Sequence, residues 1–284
     1  TGNEALKDAR YAFRRHFFQS AGFRYVHAAP LPESELNAYE TDQMVSKYLD
    51  AHFGEPHLGV GNFPVACIDA VRPHLAGRHT QRALDIGCAV GRSAFELAKD
   101  FDHVDAVDFS VRLLEAPTNL QKSGKQRYVI CEEGELTSLR EVRLADFAGC
   151  EAIKDKVRFM QSDACNLLEK FTDYDLVFAG NLLERLYDPG KFLELIKNRI
   201  RTAGLLVLAS SYTWQEKYTP REKWLGGFKA ATGENFKTLD GIAHMLQPQF
   251  KLLGLPQDIP FVVRETARKL QYGISELTVW EKGQ

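Results

Sequence analysis

Ala83-Leu84-Asp85-Ile86-Gly87-Cys88-Ala89-Val90-Gly91-Arg92-Ser93 carries the decisive pattern of the chain. A short apolar run ends in two glycines, and a helical pattern follows from Ser93 to Lys99. That order reads as strand, tight turn and helix. Glycine lets backbone approach a ligand where no Cβ fits, and the turn aims helix N-terminal amides at the same place. The spacing is D-x-G-x-x-x-G rather than the G-x-G-x-x-G that seats a pyrophosphate. An acid, Asp85, precedes the first glycine and suits a ligand bearing an ammonium group and no phosphate.

Outward from this turn, the next apolar run, Val104-Asp105-Ala106-Val107, ends in Asp108-Phe109. A carboxylate there can accept hydrogen bonds from both hydroxyls of a ribose, each worth roughly 1.5–3 kcal/mol. A third run, Val157 to Met160, ends in Gln161-Ser162-Asp163-Ala164, within reach of an adenine amino group. Strand ends of this kind converge on one crevice at a topological switch point. Further apolar runs lie at 174–178 and 205–208, with helical patterns over Arg112–Gln121 and Lys191–Arg201. Strands alternating with helices predict a doubly wound α/β fold around a mostly parallel sheet. More than thirty residues precede Val157, where a short connection is usual. Within them Tyr128–Cys131 and Leu136–Leu139 flank Glu132-Glu133-Gly134-Glu135, the pattern of an inserted β-hairpin.

Upstream, residues 31–80 predict a helical cap. One helix runs from about Glu40 to His52, with Thr41-Asp42 at its start and Gly54 after its end. A second, Val65 to Leu75, is opened by Asn62-Phe63-Pro64. Residues 1–30 are Arg- and aromatic-rich and close on Pro30. The net charge of −2 gives no electrostatic reason for a nucleic-acid partner. Five cysteines without a CxxC pair predict reduced thiols in a cytoplasmic protein and no metal site. No apolar run reaches membrane-spanning length. The chain opens on Thr1 rather than Met, as an excised or processed segment would.

The order of Asp85, Gly87, Gly91, Asp108 and Asp163 resembles that of the class I S-adenosylmethionine methyltransferases, over residues 82 to about 282. The resemblance implies a Rossmann-like, seven-stranded sheet spanning residues 81–284, with S-adenosylmethionine as methyl donor. It also implies a donor site formed by Asp85, Gly87, Cys88, Gly91, Arg92, Asp108, Phe109, Asp163, Ala164 and Asn181. The sequence Gly180-Asn181-Leu182-Leu183 lacks the [DN]-P-P-[YF] motif of the amino methyltransferases of DNA and protein glutamine.

A narrower resemblance is carried by Tyr39-Glu40-Thr41-Asp42, Asn62-Phe63-Pro64, Phe178-Ala179-Gly180-Asn181-Leu182, and the stretch from Tyr212-Thr213-Trp214 through Phe236. These look like the methyltransferase domain of the ovothiol-biosynthesis enzymes. Such a domain implies 5-thiohistidine as acceptor and its side-chain-proximal imidazole nitrogen as the methylated atom. Gly22-Phe23-Arg24-Tyr25-Val26 looks like the closing strand of the upstream sulfoxide synthase domain of those enzymes, which makes residues 1–30 a remnant and linker. Asn181, Tyr212, Tyr39 and Glu234 are the residues expected to hold the acceptor ring, with Tyr212 foremost. Arg264, Arg221 and Lys229 are the candidate cations for its carboxylate, and His52, His57 and His244 read as packing or surface residues. Another small acceptor, or a silent domain that binds S-adenosylmethionine and supports the synthase, remains open on sequence alone.

Overall fold

The computed structural model describes residues 39–283. The expected remnant, 1–30, and the first residues of the cap, 31–38, lie outside the described residues. The cap begins with α1, Asp42–Phe53, whose N-cap Thr41 accepts from the Met44 N–H and whose end is closed by Gly54. Next comes α2, Phe63–Val71. The Asn62 side-chain amide donates to the carbonyls of Ala51 (3.1 Å) and Gly54 (3.2 Å), which ties the start of α2 to the end of α1. The expected helix to Leu75 stops at Val71, and Arg72–Leu75 continues as a 3₁₀ turn. Pro73 lacks the amide that an α-helical ladder needs there.

Then follow β1 (Arg82–Ile86), α3 (Arg92–Leu97), β2 (His103–Asp108) and α4 (Val111–Ser123). The inserted hairpin is β3 (Lys125–Glu133) with β4 (Leu136–Arg143), longer on both arms than the apolar runs predicted. A one-turn α5 (Cys150–Ile153) leads to β5 (Val157–Gln161), β6 (Tyr174–Gly180), α6 (Pro189–Lys197) and β7 (Ile200–Ser210). The helical pattern to Arg201 overruns: Asn198 caps α6, and Ile200 already begins β7. The last third holds the small ribbon β8 (Phe228–Lys229) and β9 (Asn235–Phe236), then α7 (Thr238–Leu246), β10 (Phe250–Leu252), β11 (Gln257–Thr266) and β12 (Lys269–Lys282).

The sheet order is β10-β12-β7-β6-β1-β2-β5, with β11 paired to β12. The run β7-β6-β1-β2-β5 is parallel, and β12 lies antiparallel to β7, β10 and β11. The sheet therefore has eight strands where seven were expected. The reason is the length of β12: Glu276–Glu281 pair with β7, while its first half runs past the sheet and is covered by β11. Neighbours of β1 come from opposite directions along the chain, β2 on one side and β6 on the other, so the switch point lies at the carboxyl end of β1.

Alternate strand residues face opposite layers. Ala83 joins Leu49, Ile68, Phe95 and Leu120 in a core formed with the cap and α3–α4. Leu84 and Ile86 join Phe192, Ile196, Ile242 and Trp280 on the other face, under α6 and α7. The cap helices thus share one hydrophobic layer with the sheet. Among the described residues no helix is long and apolar enough to cross a membrane.

Candidate functional site

The turn after β1 is built on positive φ angles at Gly87 (76°), Ala89 (48°) and Gly91 (82°). Gly87 and Cys88 donate their N–H groups to the Val107 carbonyl, which pins the turn beside the end of β2. Asp85 is fully buried beneath it. One carboxylate oxygen accepts from the Ser93 hydroxyl at 2.6 Å, and the other, Oδ1, has no partner. Burial, reinforced by the nearby Asp108, pushes the Asp85 carboxyl up to about 7. An orphaned buried carboxylate oxygen costs free energy that a ligand ammonium group would recover.

The two glycines of the motif do different work. A Cβ on Gly87 would meet only a Leu182 methyl at 3.0 Å, and Gly87 lines a cavity. A Cβ on Gly91 would lie 2.6 Å from Pro117 Cβ and 2.8 Å from the Phe159 ring, so this glycine serves helix packing. The side chain of Arg92 also turns inward. Its guanidinium bonds Glu96 (3.0 Å) and the His52 carbonyl (3.3 Å) and lies 4.2 Å over the Phe147 ring. Cys88 is core, with its thiol pushed up by burial. Asp85, Cys88, Gly91 and Arg92 lie behind the cavity surface, which the turn reaches through Gly87, Ala89 and Ser93.

At the end of β2, Asp108 accepts from the N–H of Ala89 (2.9 Å) and of Ser110 (2.8 Å), one on each oxygen. These bonds fix the carboxylate plane and leave further lone pairs on both oxygens. Burial raises this carboxyl to about 6 against the lowering effect of those amides. Phe109, Asp163 and Ala164 line the same cavity. Asp163 is engaged on both oxygens, by the Cys165 N–H (2.8 Å) and the Tyr187 hydroxyl (2.9 Å). Its neighbour Ser162 lines the cavity with a buried hydroxyl that has no partner. The sequence stretch contained Ser162, but a lone serine offers no signal that it will be left unpaired.

The cavity, about 600 Å³, runs from these strand ends to the cap, the loop after β6, the long loop 211–237 between β7 and α7 (the lid) and the β11–β12 hairpin. Asn181 follows β6 at φ 51°, lines the cavity, and accepts from the Ser275 hydroxyl at 2.6 Å. Tyr39 also lines it, with its ring 6.5 Å from that of Tyr218 in the lid. Two other expected residues lie elsewhere. The Tyr212 hydroxyl donates to Glu276 (2.7 Å), and its ring packs against the α6–α7 layer. Glu234 is exposed in the β8–β9 turn. Neither lines the cavity, although Ser211 and Thr213 do.

The candidate cations for a carboxylate also lie outside it. Arg264 pairs with Glu132 at 2.7 Å, Arg221 covers the Trp224 and Phe228 rings, and Lys229 is exposed. Arg185 lines the cavity in their place, with its guanidinium 4.5 Å over the Tyr218 ring. Of the histidines, His52 lines the cavity and its ring is kept neutral, its pKa lowered to about 3 by burial and the field of Arg92. His57 instead approaches Asp50, 3.5 Å away. The cap face had a legible signal that went unused. Met44, Lys47, Tyr48, Ala51 and His52 recur at helical spacing, and all five line the cavity.

Residues 84–208 match the family model described as a methyltransferase domain, a span of less than half of the 284-residue chain. That span begins in β1 and ends in β7, so it holds every parallel strand and the turns that carry Asp85, Asp108, Asp163 and Asn181. No curated protein matches the chain in sequence. Among solved structures, the [4+2]-cyclase SpnF is 15% identical with a TM-score of 0.53, over 90% of this chain and 99% of that one. A protein from the conversion of a disulfide bond into a thioacetal group during echinomycin biosynthesis is 13% identical with a TM-score of 0.52, over 87% and 92%. The YcgJ protein of Bacillus subtilis is 13% identical with a TM-score of 0.50, over 77% and 99%. These likenesses establish the Rossmann-like, mostly parallel α/β fold. Function must come from the site.

Proposed function

We propose that the chain transfers a methyl group from S-adenosylmethionine to the side-chain-proximal imidazole nitrogen of 5-thiohistidine. The observation that carries the donor half is the pair of carboxylates at adjacent strand ends, Asp85 buried with an orphaned oxygen and Asp108 half-buried and held by two backbone amides. Asp85 would face the donor ammonium, Asp108 the ribose hydroxyls, and the Ser162 hydroxyl with Ala164 the purine. Gly87 leaves room for the tail beside Asn181. When bound, the donor supplies a sulfonium methyl, whose bonding electrons stay on sulfur as the acceptor nitrogen takes the carbon.

The acceptor half is supported by the resemblance in the cap and lid and by the chemistry of the walls. Burial raises the Tyr39 and Tyr48 hydroxyls, to about 12 at Tyr48, so both stay protonated donors, while His52 stays neutral. A neutral imidazole is already nucleophilic, so a site that orients the ring needs no strong base. Orientation also decides between ring nitrogen and the intrinsically more reactive sulfur. Asn181, Tyr39, Tyr48 and Tyr218 are the cavity-facing groups able to hold the ring.

The test is direct. The purified chain is given S-adenosylmethionine and 5-thiohistidine, and fragmentation mass spectrometry locates the methyl group. N-methyl product supports the reading, whereas S-methyl product or no turnover overturns it. The upstream synthase domain is the partner this reading implies, so histidine, cysteine, iron and oxygen should yield no sulfoxide with this chain alone.

A further inference from the structure

Two side chains with permanent positive charge line the cavity among the described residues, Lys47 and Arg185. They are not equivalent. Lys47 is a flexible ammonium in the field of Glu265, a carboxyl that Lys269 pairs with and lowers first and Lys47 only after it, whereas Arg185 carries a planar fork of donors. Arg185 has no carboxylate at ion-pair distance among the described residues, and the contact of its guanidinium is the Tyr218 ring at 4.5 Å. The adjacent Glu184 is no substitute, because its oxygens are taken by the hydroxyls of Ser210 (2.6 Å) and Ser211 (2.9 Å) and the Ser211 N–H. The charge of Arg185 instead falls on the phenols of Tyr39 and Tyr48.

This is a partly buried cation with no carboxylate at ion-pair distance among the described residues, stacked on the Tyr218 ring in a cavity that Glu40, Asp108, Asp163 and Glu184 also line. Stacking on an aromatic face leaves the in-plane N–H donors of a guanidinium open, and those donors match a carboxylate in paired geometry. We infer that Arg185, with the Tyr39 and Tyr48 hydroxyls, is a carboxylate subsite at the acceptor end of the cavity, which makes the acceptor an amino acid rather than an amine. The inference rests on the methyl-acceptor reading above. The donor has a carboxylate of its own, in its amino-acid tail. Placement favours the acceptor: Asp85, the proposed ammonium anchor, lies under the β1 turn, whereas Arg185 follows β6 beyond Asn181 and stacks on Tyr218, whose ring neighbours that of Tyr39.

Calorimetry on the full chain loaded with S-adenosylhomocysteine tests this. The ligands are two matched pairs, 5-thiohistidine with its decarboxylated amine, and histidine with histamine. The parent should prefer each carboxylate by about tenfold or more, Arg185→Gln should abolish the preference, and Arg185→Lys should restore part of it. Affinity for S-adenosylhomocysteine should stay within about twofold in both variants, which also reports that the cavity is folded. Carboxylate preference that survives Arg185→Gln, or is absent from the parent, overturns the inference. A loss of S-adenosylhomocysteine affinity with no loss for 5′-methylthioadenosine, which lacks the tail, assigns Arg185 to the donor and also overturns it. The two readings fail separately. A parent that does not methylate 5-thiohistidine but binds histidine over histamine through Arg185 refutes the acceptor and keeps the subsite. One that methylates 5-thiohistidine with unchanged selectivity in Arg185→Gln does the reverse.

Discussion

Asp108 is held by two backbone amides, so its side chain organises the turn as well as lining the cavity. Asp108→Ala should weaken S-adenosylhomocysteine binding by at least about tenfold, or about 1.4 kcal/mol. Calorimetry checks this, and unchanged affinity would place the ribose elsewhere. The pH dependence follows from the two raised carboxyls, at about 7 for Asp85 and about 6 for Asp108. The ligand ammonium and hydroxyls favour the ionised forms. Donor affinity should therefore be full above about pH 7 and fall as pH drops through 6, and a flat profile from pH 8 to 5 would refute the carboxylate assignments. The same shifts have the opposite sign for the ligand-free fold. A carboxyl raised above its ordinary 3.8 binds more protons folded than unfolded, so its contribution to stability declines as pH rises from about 4 to about 7. Asp85→Asn removes the charge while leaving an oxygen for Ser93. It should raise the ligand-free melting temperature at pH 8 by a few degrees, roughly, while weakening donor binding. At Tyr212 the structure redirects the expectation. Its hydroxyl serves Glu276, so Tyr212→Phe should lower stability by about 1 kcal/mol and leave kcat/KM within about twofold. A tenfold loss of kcat/KM would return Tyr212 to the acceptor site.

At the scale of elements, the β1 turn separates two meanings of glycine. Gly91→Ala places a methyl into Pro117 and Phe159 at φ 82°, so overpacking and backbone strain combine into a loss of about 2–4 kcal/mol in denaturant unfolding. Gly87→Ala carries similar backbone strain at φ 76°, about 1–2 kcal/mol, but meets only one flexible leucine end, so it should cost less stability than Gly91→Ala while also lowering donor affinity. Stability losses of equal size at both positions would show that the distinction is false. The helix α1 was legible because Thr41 and Gly54 mark its ends chemically, and the parallel strands because each apolar run closes on a polar turn. The end of α6 was not, since Ile200 fits the apolar period of the helix and the strand alike. Nor was the eighth strand: β11 is half-exposed along most of its length, so no apolar alternation betrays it.

For the whole molecule, the places of the proposed donor residues could be read because they sit at fixed positions relative to strands that the sequence announces. Asp85 and Asp108 needed only the strand rhythm to be placed at neighbouring ends. The acceptor half is assembled from parts distant in sequence: the cap at Tyr39 and Tyr48, the loop at Arg185, the lid at Tyr218 and the last hairpin at Gln271. No local pattern records which of these meet. The expected cations Arg264, Arg221 and Lys229 lie outside the cavity, while Arg185, four residues beyond Asn181, lines it.

The long strand β12 belongs to both worlds. Its second half is riveted between β7 and β10, with Trp280 buried, while its first half carries Gln271, Tyr272, Gly273 and Ile274 along the cavity wall and leaves Tyr272 and Ile274 about half exposed. A wall hung from the frame at one edge can be redecorated without loosening the frame. On the function proposed above, substitutions in that overhang reshape one wall of the cavity and leave the β1 and β2 turns untouched.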